Sequence, residues 1–255
     1  MVRLIDTHNH LYADAFDEDR EVVIKRSIEN GVDRVLLPNI DLDSIEKMHA
    51  LEDAYPENIK SMMGLHPCDV KGNYKEVLAS MYPWIAKRNY VGIGEVGMDL
   101  HWDATTKPWQ VDALNIQVEW AKEFNLPLSL HTRNATQDVI QILKPHKGKV
   151  TGVFHCFSES TELAKEIIKL GFKLGIGGVI TFKKAGIREV VSEIGIDHVV
   201  LETDSPYLAP TPYRGKRNEP AYVRLIADEV AMLTGLSSIE VAEKTTQNAA
   251  SVFGL

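Results

Sequence analysis

Gly152-Val153-Phe154-His155 is followed in this chain by Thr161-Glu162-Leu163-Ala164-Lys165-Glu166-Ile167-Ile168-Lys169-Leu170-Gly171 and then by Lys173-Leu174-Gly175-Ile176. A short apolar run, an amphipathic stretch stopped by glycine and a second short apolar run make one strand–helix–strand unit. Strands this short and nearly all apolar belong to a parallel sheet buried on both faces. The alternation extends in both directions. Strands are expected at 2–6, 34–37, 60–64, 91–95, 128–131, 152–155, 173–176 and 199–203. Helices are expected, among others, at 18–29, 44–54, 109–124, 161–170 and 187–194. Gly31, like Gly171, closes a helix just before the next strand. The expected strand ends, from Asp6 to Thr203, lie about 28 residues apart, the spacing of a (β/α)8 barrel of roughly 250 residues. The chain has 255. The expected fold is therefore α/β: a (β/α)8 TIM barrel forming one domain over 1–255, with two C-terminal helices at 222–234 and 239–251. The competing architecture is an open doubly wound sheet, whose dinucleotide-binding version is disfavoured because no Gly-x-Gly-x-x-Gly follows Asp6.

Composition bounds the function. Apolar residues make up 44% of the chain and charged residues 25%, enough for one large core and incompatible with a disordered chain. No apolar run approaches the roughly 18 residues of a membrane span, and the N-terminus carries no long apolar leader. Cys68 and Cys156 cannot build a disulfide framework, so a reducing cytoplasm is the expected location. The net charge of −8 argues against a broad nucleic-acid-binding coat. It leaves room for a small phosphate-binding cleft in which metal ions carry the positive charge. No obligate protein partner is evident.

The reactive residues collect at one end of this map. His8 and His10 follow strand 1, and alternation turns both to the same side. His66 follows strand 3, Glu95 ends strand 4, His131 ends strand 5 and His155 ends strand 6. Glu202 and Asp204, two residues apart and so expected to share a face, end strand 8. All lie at C-terminal strand ends, where barrel active sites sit. His49 falls in a helix, His146 in a connecting loop and His198 before strand 8, while His101 can at most line the rim. Four histidines and two carboxylates suit two divalent ions, and a carboxylate can bridge ions roughly 3.5–4 Å apart. Glu95, on a middle strand, is the best bridging candidate. Asp204 suits a ligand that also takes a proton from the attacking water.

The motifs Asp6-Thr7-His8-Asn9-His10-Leu11, Gly64-Leu65-His66-Pro67, Gly94-Glu95-Val96-Gly97-Met98-Asp99, His131-Thr132-Arg133, His155-Cys156-Phe157, Glu202-Thr203-Asp204-Ser205-Pro206-Tyr207-Leu208 and Arg217-Asn218-Glu219-Pro220 together resemble, in order, those of TatD-type metal-dependent hydrolases. The resemblance covers essentially the whole chain. Met98 and Val96 are apolar departures from the family's commoner Leu and Ile. The resemblance implies a (β/α)8 barrel of the amidohydrolase class, two divalent metal ions (Mg, Mn or Zn) and nuclease activity on DNA, single-stranded or at 3′ ends. It implies that His8, His10, Glu95 and Asp204 hold one ion and that Glu95, His131 and His155 hold the second. It places His66, Arg133 and Glu202 in the substrate or metal shell.

The residues themselves supply a phosphate logic. Arg133, two residues past His131, can share the mouth and grip a phosphoryl oxygen with its planar fork. Lys183, Lys184, Arg214, Lys216 and Arg217 fall in the loops after strands 7 and 8, the usual phosphate corner of a barrel. Asn218 and Pro220 also read as a helix start. Cys156 is expected on the face opposite His155 as a buried thiol, and Trp102, Trp109 and Tyr207 as packing or base-stacking groups. The same barrel can instead cleave an amide, a lactone or an aminoacyl ester. Relatives of that kind often bridge their metals with a modified lysine at strand 4, where this chain has Glu95. A binding role on a vestigial site conflicts with an intact set of buried polar ligands.

Overall fold

The computed structural model describes residues 3–255. Eight strands run β1 (Leu4–Asp6), β2 (Val32–Pro38), β3 (Ile59–Met63), β4 (Gly92–Asp99), β5 (Leu128–Arg133), β6 (Gly152–Phe154), β7 (Lys173–Ile176) and β8 (Val199–Leu201). All neighbours pair in parallel in the order β1 to β8. Closure comes just past the strands: the Thr7 N–H donates to the Leu201 carbonyl at 3.0 Å, and the Thr203 N–H donates to Asp6 Oδ1 at 2.8 Å. The helices are α1 (Arg20–Glu29), α2 (Ser44–Ala54), α3 (Tyr74–Ile85), α4 (Lys107–Phe124), α5 (Thr136–Leu143), α6 (Thr161–Leu170), α7 (Ile187–Ile194), α8 (Val223–Thr234) and α9 (Ser238–Phe253). The barrel and the two C-terminal helices are thus as expected from the strand spacing. Val2, expected in the first strand, lies outside the described residues.

Alternation sorts the strand side chains. Ile5, Leu36, Met62, Val153 and Val200 point into the barrel and meet Ala249 and Phe253 of α9, which closes one end of it. Leu4, Val35, Leu37, Met63, Phe154, Val199 and Leu201 face the helices and belong to the larger core. The opposite, C-terminal end is open and holds the polar residues, because each strand gives way there to a loop rather than to a packed helix. Among the described residues no helix is long and apolar enough to cross a membrane.

Several strands depart from the expected bounds, β5 for instance running on to Arg133, and two of these departures shape the site most. Strand β4 does not end at Glu95 but runs to Asp99. Against β5 it pairs Ile93 with Leu128 and Val96 with Leu130, three residues against two. This shift in register falls at Glu95, the kind of irregularity often found beside active sites. The Glu95 N–H donates to the carbonyl of Asn39, just past the end of β2, at 2.8 Å, fixing the backbone across the mouth. Strand β8 ends at Leu201, two residues short of the expected Thr203.

Candidate metal centre

Glu95 stands at the centre of the mouth. It is 2% exposed, and its two carboxylate oxygens face different histidines. Oε2 lies 3.2 Å from His8 Nε2 and 3.5 Å from His10 Nε2. Oε1 lies 2.8 Å from His131 Nδ1, 2.9 Å from His155 Nε2 and 3.3 Å from His66 Nε2. Asp204 Oδ1 stands 3.5 Å from His10 Nε2 and 4.0 Å from His8 Nε2. The structure therefore brings His8, His10, His66, Glu95, His131, His155 and Asp204 to one place. Over them opens a cavity of about 1140 Å3, lined in part by His10, His66, Glu95, His131, Arg133 and Asp204.

Outer hydrogen bonds decide which nitrogen each imidazole presents. The single Tyr12 hydroxyl proton is donated to the Pro38 carbonyl at 2.6 Å. The Tyr12 oxygen, 2.7 Å from His10 Nδ1, must therefore accept from it. His10 consequently aims the bare lone pair of Nε2 at two carboxylate oxygens. Asp99 Oδ2 accepts from His131 Nε2–H at 2.9 Å, so the neutral His131 ring aims a bare Nδ1 at Glu95 Oε1, while, against its burial, Asp99 and Glu95 together raise its pKa and favour a second proton there. Acceptor facing acceptor in a buried site is unfavourable unless a cation stands between them. His8, His10 and Glu95 form one cluster whose ligand atoms all lie within 4.8 Å of one another, His66, Glu95 and His131 form another, and His8, His155 and Glu202 a third. These clusters could hold a metal ion, and mixed imidazole and carboxylate donors are the ligands of Zn²⁺ and Mn²⁺. His66 differs: its Nδ1 accepts from the Cys68 N–H at 3.1 Å, so in the neutral ring its Nε2 carries a proton and acts as a donor.

A proton on a ring can stand in for the cation, turning the same nitrogens into donors to the carboxylates. Burial alone would raise the Glu95 pKa, but His66, His155 and His8, with the His131 hydrogen bond, hold it well below the usual carboxylate range. Burial opposes ionisation of Asp204 too, and the His10 hydrogen bond with the His155 and His8 charges lowers its pKa nonetheless. Asp99 is brought to about 2 against its own burial by His131 and by the His101 and Trp102 backbone N–H groups. Burial lowers the pKa of His155, but Glu95 and Glu202 raise it well above the ordinary value. His66, His131 and His155 thus favour their charged forms, whereas burial and the His155 charge lower the pKa of His8.

Several expected placements need correction. Glu202 does not line the cavity beside Asp204, but it does stand in the metal shell, its carboxylate grouped with His8 and His155. It is fully buried, accepts a hydrogen bond from the Cys156 N–H, and lies 3.5 Å from His155 Nδ1. The reason is that β8 has already ended, and Asp204 takes a left-handed backbone conformation, φ 56°, so alternation no longer holds. Glu202 fits there because Gly175 has no side chain: a Cβ at that position would overlap Glu202 Oε2. Cys156 is likewise left-handed, φ 49°, and lines the mouth instead of turning away; burial and the nearby carboxylates push its thiol well up. Asn218 caps no helix; its side chain donates at 2.7 Å to the Thr203 and Tyr207 carbonyls and ties down the loop after β8. Arg217 leaves the basic rim, donating to both oxygens of Asp19 at 2.7 and 2.6 Å. Arg133 makes no ion pair among the described residues and stacks over the Trp102 ring at 5.2 Å. Asp99 and Tyr12, quoted or passed over without a role, prove to orient His131 and His10. Asp99 lies in the strand extension beyond Glu95, and only its position four residues on hinted at it.

An eight-stranded parallel barrel with imidazole and carboxylate donors converging at its C-terminal mouth defines the class of metal-dependent hydrolase barrels. The chain belongs to the TatD related DNase family, whose profile matches residues 5–254. It is similar to the uncharacterized metal-dependent hydrolase YabD of Bacillus subtilis, 41% identical over 252 residues and covering 98% of each chain. It is 31% identical over 261 residues to the 3′-5′ ssDNA/RNA exonuclease TatD of Pantoea vagans, covering 99% of this chain and 100% of that one. Among solved structures, the TatD homologue YjjV of Escherichia coli K12 superposes with a TM-score of 0.93 at 28% identity, covering 100% of this chain and 99% of that one.

Proposed function

We propose that this hydrolase cleaves phosphodiester bonds of DNA, as a 3′-5′ exonuclease-type DNase, with two divalent ions at the mouth. The observation that carries the reading is the division of Glu95: one carboxylate oxygen faces His8 and His10, the other His131 and His155. In this reading His8, His10, Glu95 and Asp204 hold one ion, and Glu95, His131 and His155 hold the other. Such ions, when bound, lower the pKa of an adjacent water to about 7 and offset charge on the phosphoryl oxygens.

The chain's own groups do the rest. Asp204, kept ionised by its histidine neighbours, lines the mouth and accepts the proton of the attacking water. The water oxygen bonds to phosphorus, one P–O ester bond breaks, and the departing oxygen recovers a proton through Asp204. His66 Nε2–H and the Arg133 guanidinium, both at the mouth, donate to the non-bridging phosphoryl oxygens and orient the group. Glu202 takes no part in substrate contact; it supports His155 from behind. The naming of the Pantoea vagans relative as a 3′-5′ ssDNA/RNA exonuclease, with the family's name, supports a nucleic-acid substrate.

The test uses metal-stripped protein refilled with Mg²⁺, Mn²⁺ or Zn²⁺ and offered end-labelled single- and double-stranded DNA, RNA and a panel of lactones and aminoacyl esters. Stepwise shortening of single-stranded DNA from its 3′ end is expected. Turnover of a lactone or ester with no cleavage of any DNA would replace this reading by the amide- and ester-hydrolase one.

A further inference from the structure

A second cavity, of about 640 Å3, opens between the loops that follow β7 and β8 and is lined by Phe182, Lys183, Lys184, Thr211 and Arg214 among others. Its walls are built. The Thr181 hydroxyl donates to the Gly178 carbonyl at 2.7 Å and accepts from the Thr211 N–H at 2.8 Å, bolting one loop to the other. Gly178 lets the loops close on each other, since a Cβ there would overlap the Leu208 carbonyl. The Arg214 guanidinium lies over the Phe182 ring at 4.3 Å.

Three cations converge on this cavity and no carboxylate lines it. Lys183, Lys184 and Arg214 make no ion pair among the described residues. Most other arginines are matched with acids, so the unpaired Arg214 stands out, whereas about half of the other lysines are likewise without an ion pair among the described residues. The cavity and the mouth share the same two loops: Val179 and Leu208 line the mouth, Thr181 and Thr211 the cavity. Unpaired cations on a rigid shelf beside a phosphodiester site suit more phosphates of the same polymer.

We infer that the Lys183–Lys184–Arg214 cavity binds backbone phosphates of the nucleic-acid strand at a distance from the bond being cut. This rests on the nuclease reading and adds a second anchoring point to it. A strand long enough to span both sites is held by the mouth and the cavity together, so affinity rises with length. A dinucleotide without a terminal phosphate has a single phosphate, which occupies the mouth, so it gains nothing from the cavity.

The experiment measures binding of fluorescein-labelled single-stranded DNA by anisotropy, in chelator to prevent cleavage, across a salt series. It compares the wild-type chain with Lys183→Ala/Lys184→Ala/Arg214→Ala and with a charge-matched control, Lys25→Ala/Lys60→Ala/Lys87→Ala, whose lysines lie outside both cavities. KM for a dinucleotide and for a long oligonucleotide is measured in parallel with metal restored. Removing three phosphate contacts should reduce the slope of log K against log salt by about 2, at about 0.7 per contact for single strands. KM for the long strand should rise roughly tenfold or more while KM for the dinucleotide stays within about twofold. The control should keep the wild-type slope, and melting temperatures should match. If the cavity variant keeps the wild-type slope and KM on long DNA that the wild type cleaves, the inference is wrong and the nuclease reading stands. If the wild type neither binds nor cuts DNA of any length, both fall.

Discussion

Replacing Asp99 by asparagine changes one oxygen to an amide nitrogen, and the structure says which one. Asp99 Oδ1 accepts from the His101 N–H at 2.9 Å and from the Trp102 N–H at 3.3 Å. An asparagine must keep its oxygen there, so its NH2 takes the place of Oδ2, opposite His131 Nε2. The amide can then only donate, Nε2 must accept, and the ring proton moves to Nδ1. That nitrogen is the one 2.8 Å from Glu95 Oε1. The substitution therefore removes a metal-directed lone pair without touching a ligand. Losses of outer partners of this kind cost about 10–100-fold in metal affinity or activity, or about 1.4–2.7 kcal/mol. Chelator competition with Mn²⁺ or Zn²⁺, read beside kcat/KM on DNA, measures it. Asp99→Ala leaves Nε2 without a donor forced upon it and should lose less. Wild-type metal affinity and activity in Asp99→Asn would refute the tautomer argument.

Asp204→Asn should lower kcat by about 10²–10⁴-fold, the usual consequence of removing a general base, with KM little changed because His66 and Arg133 remain; steady-state kinetics that show near wild-type kcat and only a lower melting temperature would contradict the role. Gly175→Ala forces a methyl group against Glu202 and should cost about 1–3 kcal/mol, a fall in Tm of roughly 2–4 °C per kcal/mol for a chain of this size; an unchanged Tm in calorimetry would mean that Glu202 is free to move. His49 is buried with its Nε2 2.7 Å from the Tyr90 hydroxyl, and burial, aided by Arg88, lowers its pKa to about 4. Its unfolded pKa is about 6.5, so between pH 6.5 and 4 the unfolded chain takes up the proton first and stability drops as the pH falls through that window. Denaturant melts of His49→Gln should show a shallower dependence there, and an identical one would rule His49 out as the source.

The barrel was legible because short buried strands at even spacing leave few alternatives, and because residues just past a strand end point where the strand pointed. His8, His10, His131 and His155 could be placed at the mouth for that reason. The rule failed where the backbone stopped being extended. Asp204 at φ 56° and Cys156 at φ 49° swapped the faces expected for Glu202 and Cys156. The bulge between Ile93 and Val96 cannot be seen in a run of apolar residues and glycines, nor can the continuation of β4 to Asp99, so the carboxylate behind His131 went without a role. Helix α3 carries Pro83 inside it and α5 is only eight residues long, which weakens the periodicity of both. The pairing of Arg217 with Asp19 joins residues 198 positions apart, a contact that no local pattern reports.

Glu95 is the centre on which the two histidine sets converge, so its replacement tests the account most directly. Wild-type protein and Glu95→Ala, each stripped and reloaded with Mn²⁺ or Zn²⁺, are compared by elemental analysis per chain and by hydrolysis of single-stranded DNA. A group that serves both ions should, when removed, lower occupancy of both and abolish turnover together, with the wild type holding two ions per chain. Glu95→Ala that still loads two ions per chain would contradict the bridge, and with it the reading of this mouth as a two-metal phosphodiesterase site.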